Sequence, residues 1–267
     1  MPNASIIEHV LKRDRAIVFA SLVAITGLSA TYIIFGVGMD MSAFEMTAMP
    51  GHTLMTPAVW TPSYAALVFF MWWIMMIAMM LPSSAPTVLL YAAIKRQRRD
   101  IANPLALTAT FLSAYLVVWA LFSLFAALLQ WGLGIVGLMS AMMSVSSGVL
   151  GGFILIAAGI YQFTPFKQIC LTQCQYPIRF LTGPQQPGLK GALRMGLRHG
   201  AYCVGCCAFL MILLFFGGIM NLFWINGLAI YVLLEKLLPY GRWVGYAAGI
   251  GLFGSGAVLL LSVVSAD

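Results

Sequence analysis

The chain of 267 residues is 62% hydrophobic and 8% charged, with a mean hydropathy of +0.97. A soluble domain is roughly a quarter charged, so this composition excludes a water-exposed globule and predicts an all-α fold, a polytopic transmembrane helix bundle. The net charge of +7 sits between apolar stretches, where it reads as topology and attraction to anionic lipid headgroups, with no call for nucleic acid.

A spanning helix needs about 20 mostly apolar residues. Segments 16–38, 64–94, 104–130, 137–163, 201–220, 222–239 and 243–264 meet or approach that length, which predicts about seven helices in a single membrane domain over 1–267. With the N-terminus cytoplasmic, seven crossings put Lys12, Arg13, Arg15, Lys95, Arg96, Arg98, Arg99, Lys167, Arg179, Lys190, Arg194, Arg198, Lys236 and Arg242 on one side. That is the positive-inside pattern. The basic start runs into the first apolar stretch without a convincing cleavage site, so the first helix is expected to stay as a signal anchor.

After it comes an extracytoplasmic loop, 39–63, that holds Met39, Met41, Met46, Met49 and Met55 with His52, Asp40 and Glu45, and no Lys or Arg. The second helix carries Met71, Met75 and Met79 on one stripe and Met76 and Met80 on a neighbouring one. Thioethers bind Cu(I) without deprotonation, so the stripes are candidate soft-metal sites; methionine as a flexible packing residue is the competing explanation. Pro82 and Pro86, around Ser83 and Ser84, predict a kinked and partly hydrated element facing the cysteines.

The fourth helix leads into a basic cytoplasmic loop, 164–200. Its prolines and glycines predict mostly non-helical chain after a helical turn around Cys170. Cys170 and Cys174 lie there. The fifth helix opens H-G-A-Y-C-V-G-C-C, and at 100° per residue His199, Cys203, Cys206 and Cys207 share one face. Imidazole with thiols suits Cu(I) or, alternatively, Zn²⁺, and makes Mg²⁺ or Ca²⁺ a poor fit. Cysteines serving only as small packing residues are the plainer alternative. All five are expected near the cytoplasmic face, where thiols stay reduced. Glu235 stands inside a predicted helix beside Lys236, as a functional acid or as half of an interfacial ion pair.

Four stretches, M-W-W-I-M-M-I-A-M-M-L-P-S-S-A-P (71–86), Y-Q-F-T-P-F-K-Q-I-C-L-T-Q-C (161–174), G-L-R-H-G-A-Y-C-V-G-C-C (196–207) and L-L-E-K-L-L-P-Y-G (233–241), resemble a bacterial family of predicted metal-binding integral membrane proteins, domain of unknown function 2182. The resemblance implies a metal-linked role in a bacterial inner membrane.

The leading expectation is a membrane protein that binds, transfers or transports Cu(I) between the methionine loop, the methionine stripes and the Cys and His cluster. No Walker A sequence or D-K-T-G is present, so this chain encodes no ATP-driven pump of its own. The alternative is an accessory or assembly subunit of a larger membrane metalloenzyme, or a homo-oligomer, with Gly249, Gly251, Gly254 and Gly256 allowing close helix contact. Thiol redox chemistry through Cys203 with Cys206, or Cys170 with Cys174, is a third expectation. No residue is assigned to catalysis.

Overall fold

The computed structural model describes residues 3–35, 60–97, 103–140, 143–182 and 188–265. Among them lie nine helices: α1 (Asn3–Phe35), α2 (Pro62–Gln97), α3 (Pro104–Ile135), α4 (Gly148–Gln162), α5 (Pro165–Gln175), α6 (Ile178–Thr182), α7 (Gly188–Gly217), α8 (Leu222–Leu237) and α9 (Gly241–Val264). The polytopic helical bundle read from composition is the fold observed. The expected loop 39–63, with Met39 to Met55 and His52, lies outside the described residues up to Val59.

Among the described residues, five helices are long and apolar enough to cross a membrane: the Val18–Phe35 part of α1, then α2, α3, α7 and α9. The α4–α5 pair makes a sixth if the two count as one span bent by 64°. Hydropathy alone predicts about seven, and the difference has two local causes. Helix α4 starts only at Gly148, capped by Ser147 Oγ on Leu150 N, because the chain before it is tied elsewhere: Val145 N donates to Phe215 O at 2.8 Å. Helix α8 has 16 residues, short of a full span.

The stretch 164–200 departs most from expectation. Thr164 caps α5 by accepting from Lys167 N, and Pro165 occupies the first helical position, where a missing N–H costs nothing. The result is an 11-residue helix, then the short α6, and α7 starts at Gly188, 13 residues before the apolar stretch suggests. Segment 164–200 is therefore largely helical, and Pro165 starts a helix rather than breaking one.

Helix α7 runs through the middle of the bundle, packed on α3, α4, α5 and α8, while α2 packs on α1, α3 and α8. Helix α9 lies against α4 through glycine-to-glycine contact: a Cβ at Gly159 would sit 2.9 Å from Gly249 O, and one at Gly256 would sit 2.8 Å from Gly152 O. Gly249 and Gly256 thus serve packing within this chain, whereas Gly251 and Gly254 face open space. Large apolar side chains such as Leu121, Phe153, Phe223, Trp243 and Leu261 stand exposed on the outside. That surface suits lipid.

Candidate metal centre

Helix α7 turns its cysteine face inward. Cys203, Cys206 and Cys207 are fully buried and His199 is 2% exposed. Opposite stands α2, whose Met71, Met75, Met76, Met79 and Met80 are all buried in the same apolar core, so both methionine stripes face inward. The two helices meet at one soft contact, Cys207 Sγ 3.7 Å from Met80 Sδ.

Around Met80 the backbone of α2 is held by side chains. Ser83 Oγ donates to Met80 O at 2.9 Å and Ser84 Oγ to Leu81 O at 3.0 Å, while the Tyr115 hydroxyl reaches Met80 O at 3.3 Å from α3. The helix continues through Pro82 and Pro86, and these hydroxyls supply polar contact in the proline-containing turn. The element does face the cysteines.

Two polar groups converge on Cys203 Sγ: the Lys236 ammonium, which donates at 3.0 Å from α8, and the Tyr115 hydroxyl at 3.3 Å. Lys236 Nζ also lies 3.1 Å from Ser83 Oγ, and its side chain is 5% exposed. Cys206 and Cys207 both turn back on their own helix, donating to Cys203 O at 3.1 and 2.7 Å. From α5, Cys174 interacts with Cys203 and Cys206. Cys170 packs on α7 at Gly205, where a Cβ would sit 2.7 Å from its sulfur. Tyr161 locks that junction by donating to Gly205 O. All five cysteines are free thiols.

His199 shares the buried face but keeps a different company. Its ring lies between those of Phe111, Tyr115 and Phe180, with centroids 5.8, 5.4 and 6.3 Å away, and neither nitrogen has a hydrogen-bond partner. Among the described residues no three of His, Cys, Asp and Glu stand together as a group able to hold one ion. The soft donors that do approach one another are the Cys207 thiol and the Met80 thioether, with Cys174, Cys206 and Cys207 each interacting with Cys203.

A second polar site was hidden from sequence reading. Lys167, expected as a cytoplasmic loop charge, is fully buried on α5 and pairs with Glu235 of α8 at 2.5 Å. Gln162 accepts from Lys167, and Tyr231 Oη donates to Glu235 Oε1 at 3.1 Å. Gln175 Nε2 donates to Glu235 O at 2.8 Å. Gly245 of α9 floors the site, since a Cβ there would sit 2.7 Å from Glu235 Oε1. Glu235 and Lys236 are therefore not an ion pair with each other. Neighbours on a helix point about 100° apart, so one side chain enters the ion-pair site and the other the cysteine site. That divergence is the signal the sequence held.

No curated protein and no solved structure matches the chain. Residues 69–259, which contain α3 to α8, most of α2 and α9, every cysteine and the buried Lys167 and Lys236, match PpoB2, described as copper chaperone, and the chain belongs to that copper chaperone family.

Proposed function

We propose that this protein is a multi-pass membrane chaperone that carries copper as Cu(I), bound between α7 and α2 and handed on to a recipient protein. The observation that carries the reading is the buried contact of Cys207 Sγ with Met80 Sδ, beside Cys203, in a chain of a copper chaperone family. Thiolate and thioether are the donors that prefer Cu(I) over harder ions, and an apolar shell keeps water from the ion. Cys203, Cys207 and Met80 form the holding site. Met71, Met75, Met76 and Met79 line the way to it along α2, and Cys206, Cys174, Cys170 and His199 are exchange positions around it. The expected loop with His52 would load copper from outside. The N-terminus is cytoplasmic, and a bacterial inner membrane is the compartment.

The test is a Cu(I) titration of the full-length protein in detergent, under anaerobic reducing conditions, against a chromophoric Cu(I) chelator. Wild type is expected to withdraw near-stoichiometric copper, and the C203S/C207S variant none. Zinc retained in place of copper, and lost in the same variant, would turn the reading toward a structural zinc site. Wild type that leaves all the copper on the chelator would end it.

A further inference from the structure

Helix α7 carries soft donors beyond its cysteines. Steps of four residues along it give Met211, Cys207, Cys203, His199 and Met195 in turn, and the next steps either way, Phe215 and Gly191, carry none. All five are buried, Met195 the most exposed of them at 6%. Residues four apart on a helix are neighbours, about 6 Å along the axis and about 5–6 Å between Cβ atoms, so the five side chains form one continuous, inclined ridge. The ridge passes between two cores. Met211, Cys207 and Cys203 belong to the core that holds the methionines of α2, and Met195 to the second, with Tyr91, Phe111 and Leu181. His199 joins them, its ring stacked on Tyr115 of the first core and Phe111 of the second. Neither of its nitrogens has a hydrogen-bond partner. Buried polar atoms left unpaired cost stability, so a phenylalanine would serve packing better at this position.

We infer that this ridge is a transfer track for Cu(I), on which His199 and then Met195 take the ion from Cys203 toward the basic end of α7, where Lys190, Arg194 and Arg198 are exposed. The inference rests on the Cu(I) reading above and goes beyond its holding site. At each step copper forms a bond to the next donor as it breaks one to the last. The ion stays monovalent and no electron moves. Neighbouring donors are close enough for an ion to meet the next before it leaves the previous one. Past Cys203 the donors change from cysteine sulfur to imidazole nitrogen and thioether sulfur, which accept copper and hold it less firmly. The track therefore runs from a holding end to a releasing end. Met211 extends it on the other side of Cys207, into the core that also contains Met71 and Met75.

The experiment compares wild type with H199F, which keeps a ring among Phe111, Tyr115 and Phe180 and removes the nitrogens, and with M195L, which keeps volume and removes the thioether. M220L, a buried methionine outside α7, is the control. Each full-length protein is loaded with Cu(I) in detergent without oxygen. Transfer to an excess of a chromophoric Cu(I) chelator is followed by stopped flow, and equilibrium affinity is measured by competition against the same chelator. H199F should slow transfer about tenfold and M195L by less, each by more than it changes affinity, because the cysteines remain. M220L should transfer like wild type. If H199F does not elute as a monodisperse species, H199L replaces it with the same expectation. H199F and M195L at the wild-type rate would overturn the track while leaving the Cu(I) reading standing. So would a slow M220L, which would reduce the methionines to packing, or a loss of affinity in H199F as large as its loss of rate, which would make His199 a holding ligand. Wild type without Cu(I) binding would remove both.

Discussion

Lys167 and Lys236 are both buried near the same end of the bundle, yet one is bound to a carboxylate and the other to a thiol. The Lys167 site is closed: Gln162, Tyr231 and the Gly245 backbone crowd around a pair whose charges cancel. The Lys236 site, open by contrast, has no carboxylate: its ammonium meets a hydroxyl and a cysteine sulfur, the sulfur that the Cu(I) proposal makes a ligand. A neutral pair can only hold helices together, whereas under the Cu(I) proposal Lys236, opposite a ligand, would couple helix position to cargo. Glu235 and Lys236 are adjacent, so α8 joins the two.

The largest effect should come from breaking the closed site. E235Q removes the counter-charge of a fully buried ammonium, and such losses cost about 3–5 kcal/mol. Thermal unfolding in detergent should show it as a large fall in midpoint. The paired variant K167M/E235L removes both charges and should recover most of that loss, since buried ion pairs replaced by apolar residues are often neutral or better. An E235Q midpoint close to wild type would mean that the two sites are not as different as their geometry says.

A smaller effect is expected at the open site. S83A removes one of the two contacts of Lys236 Nζ, and a hydrogen bond to a charged group contributes about 1.5–3 kcal/mol. The loss should sit at the low end of that range in the metal-free protein, because Cys203 Sγ remains at 3.0 Å. Copper should narrow the difference between S83A and wild type if Lys236 then balances a copper–thiolate centre. A gap of the same size with and without copper would separate Lys236 from the cargo.

The sequence disclosed the donors better than their arrangement. Helical periodicity alone put Cys203, Cys206, Cys207 and His199 on one face of α7 and five methionines on α2, and all nine are buried. Periodicity gives no distance across a bundle, so it could not say that Met80, of the five, meets Cys207. Nor could it separate His199 from the thiols, because the rings of Phe111 and Tyr115 that enclose it come from α3. Lys167 and Lys236 looked like topology charges because a Lys near an apolar segment usually reaches water. Here the helical course of Pro165–Gln175, set by Thr164 and Pro165, carries Lys167 inward instead.

The smallest change in stability and the cleanest readout of cargo should coincide at Met80. M80L keeps volume and apolarity, so its cost in unfolding should stay below about 1.5 kcal/mol. What it deletes is the thioether facing Cys207 at 3.7 Å. Cu(I) affinity should fall about tenfold, as expected for one weak soft donor lost while the thiolates remain. M71L makes the matching control: Met71 is as buried as Met80, and it lies more than two helical turns away along α2. If both leucine variants weaken copper equally, the methionines act as a diffuse lining of the core. If M80L alone does, the thioether at the Cys207 contact is a ligand, and the open site has the mixed thiolate and thioether character that sets it apart from the closed one.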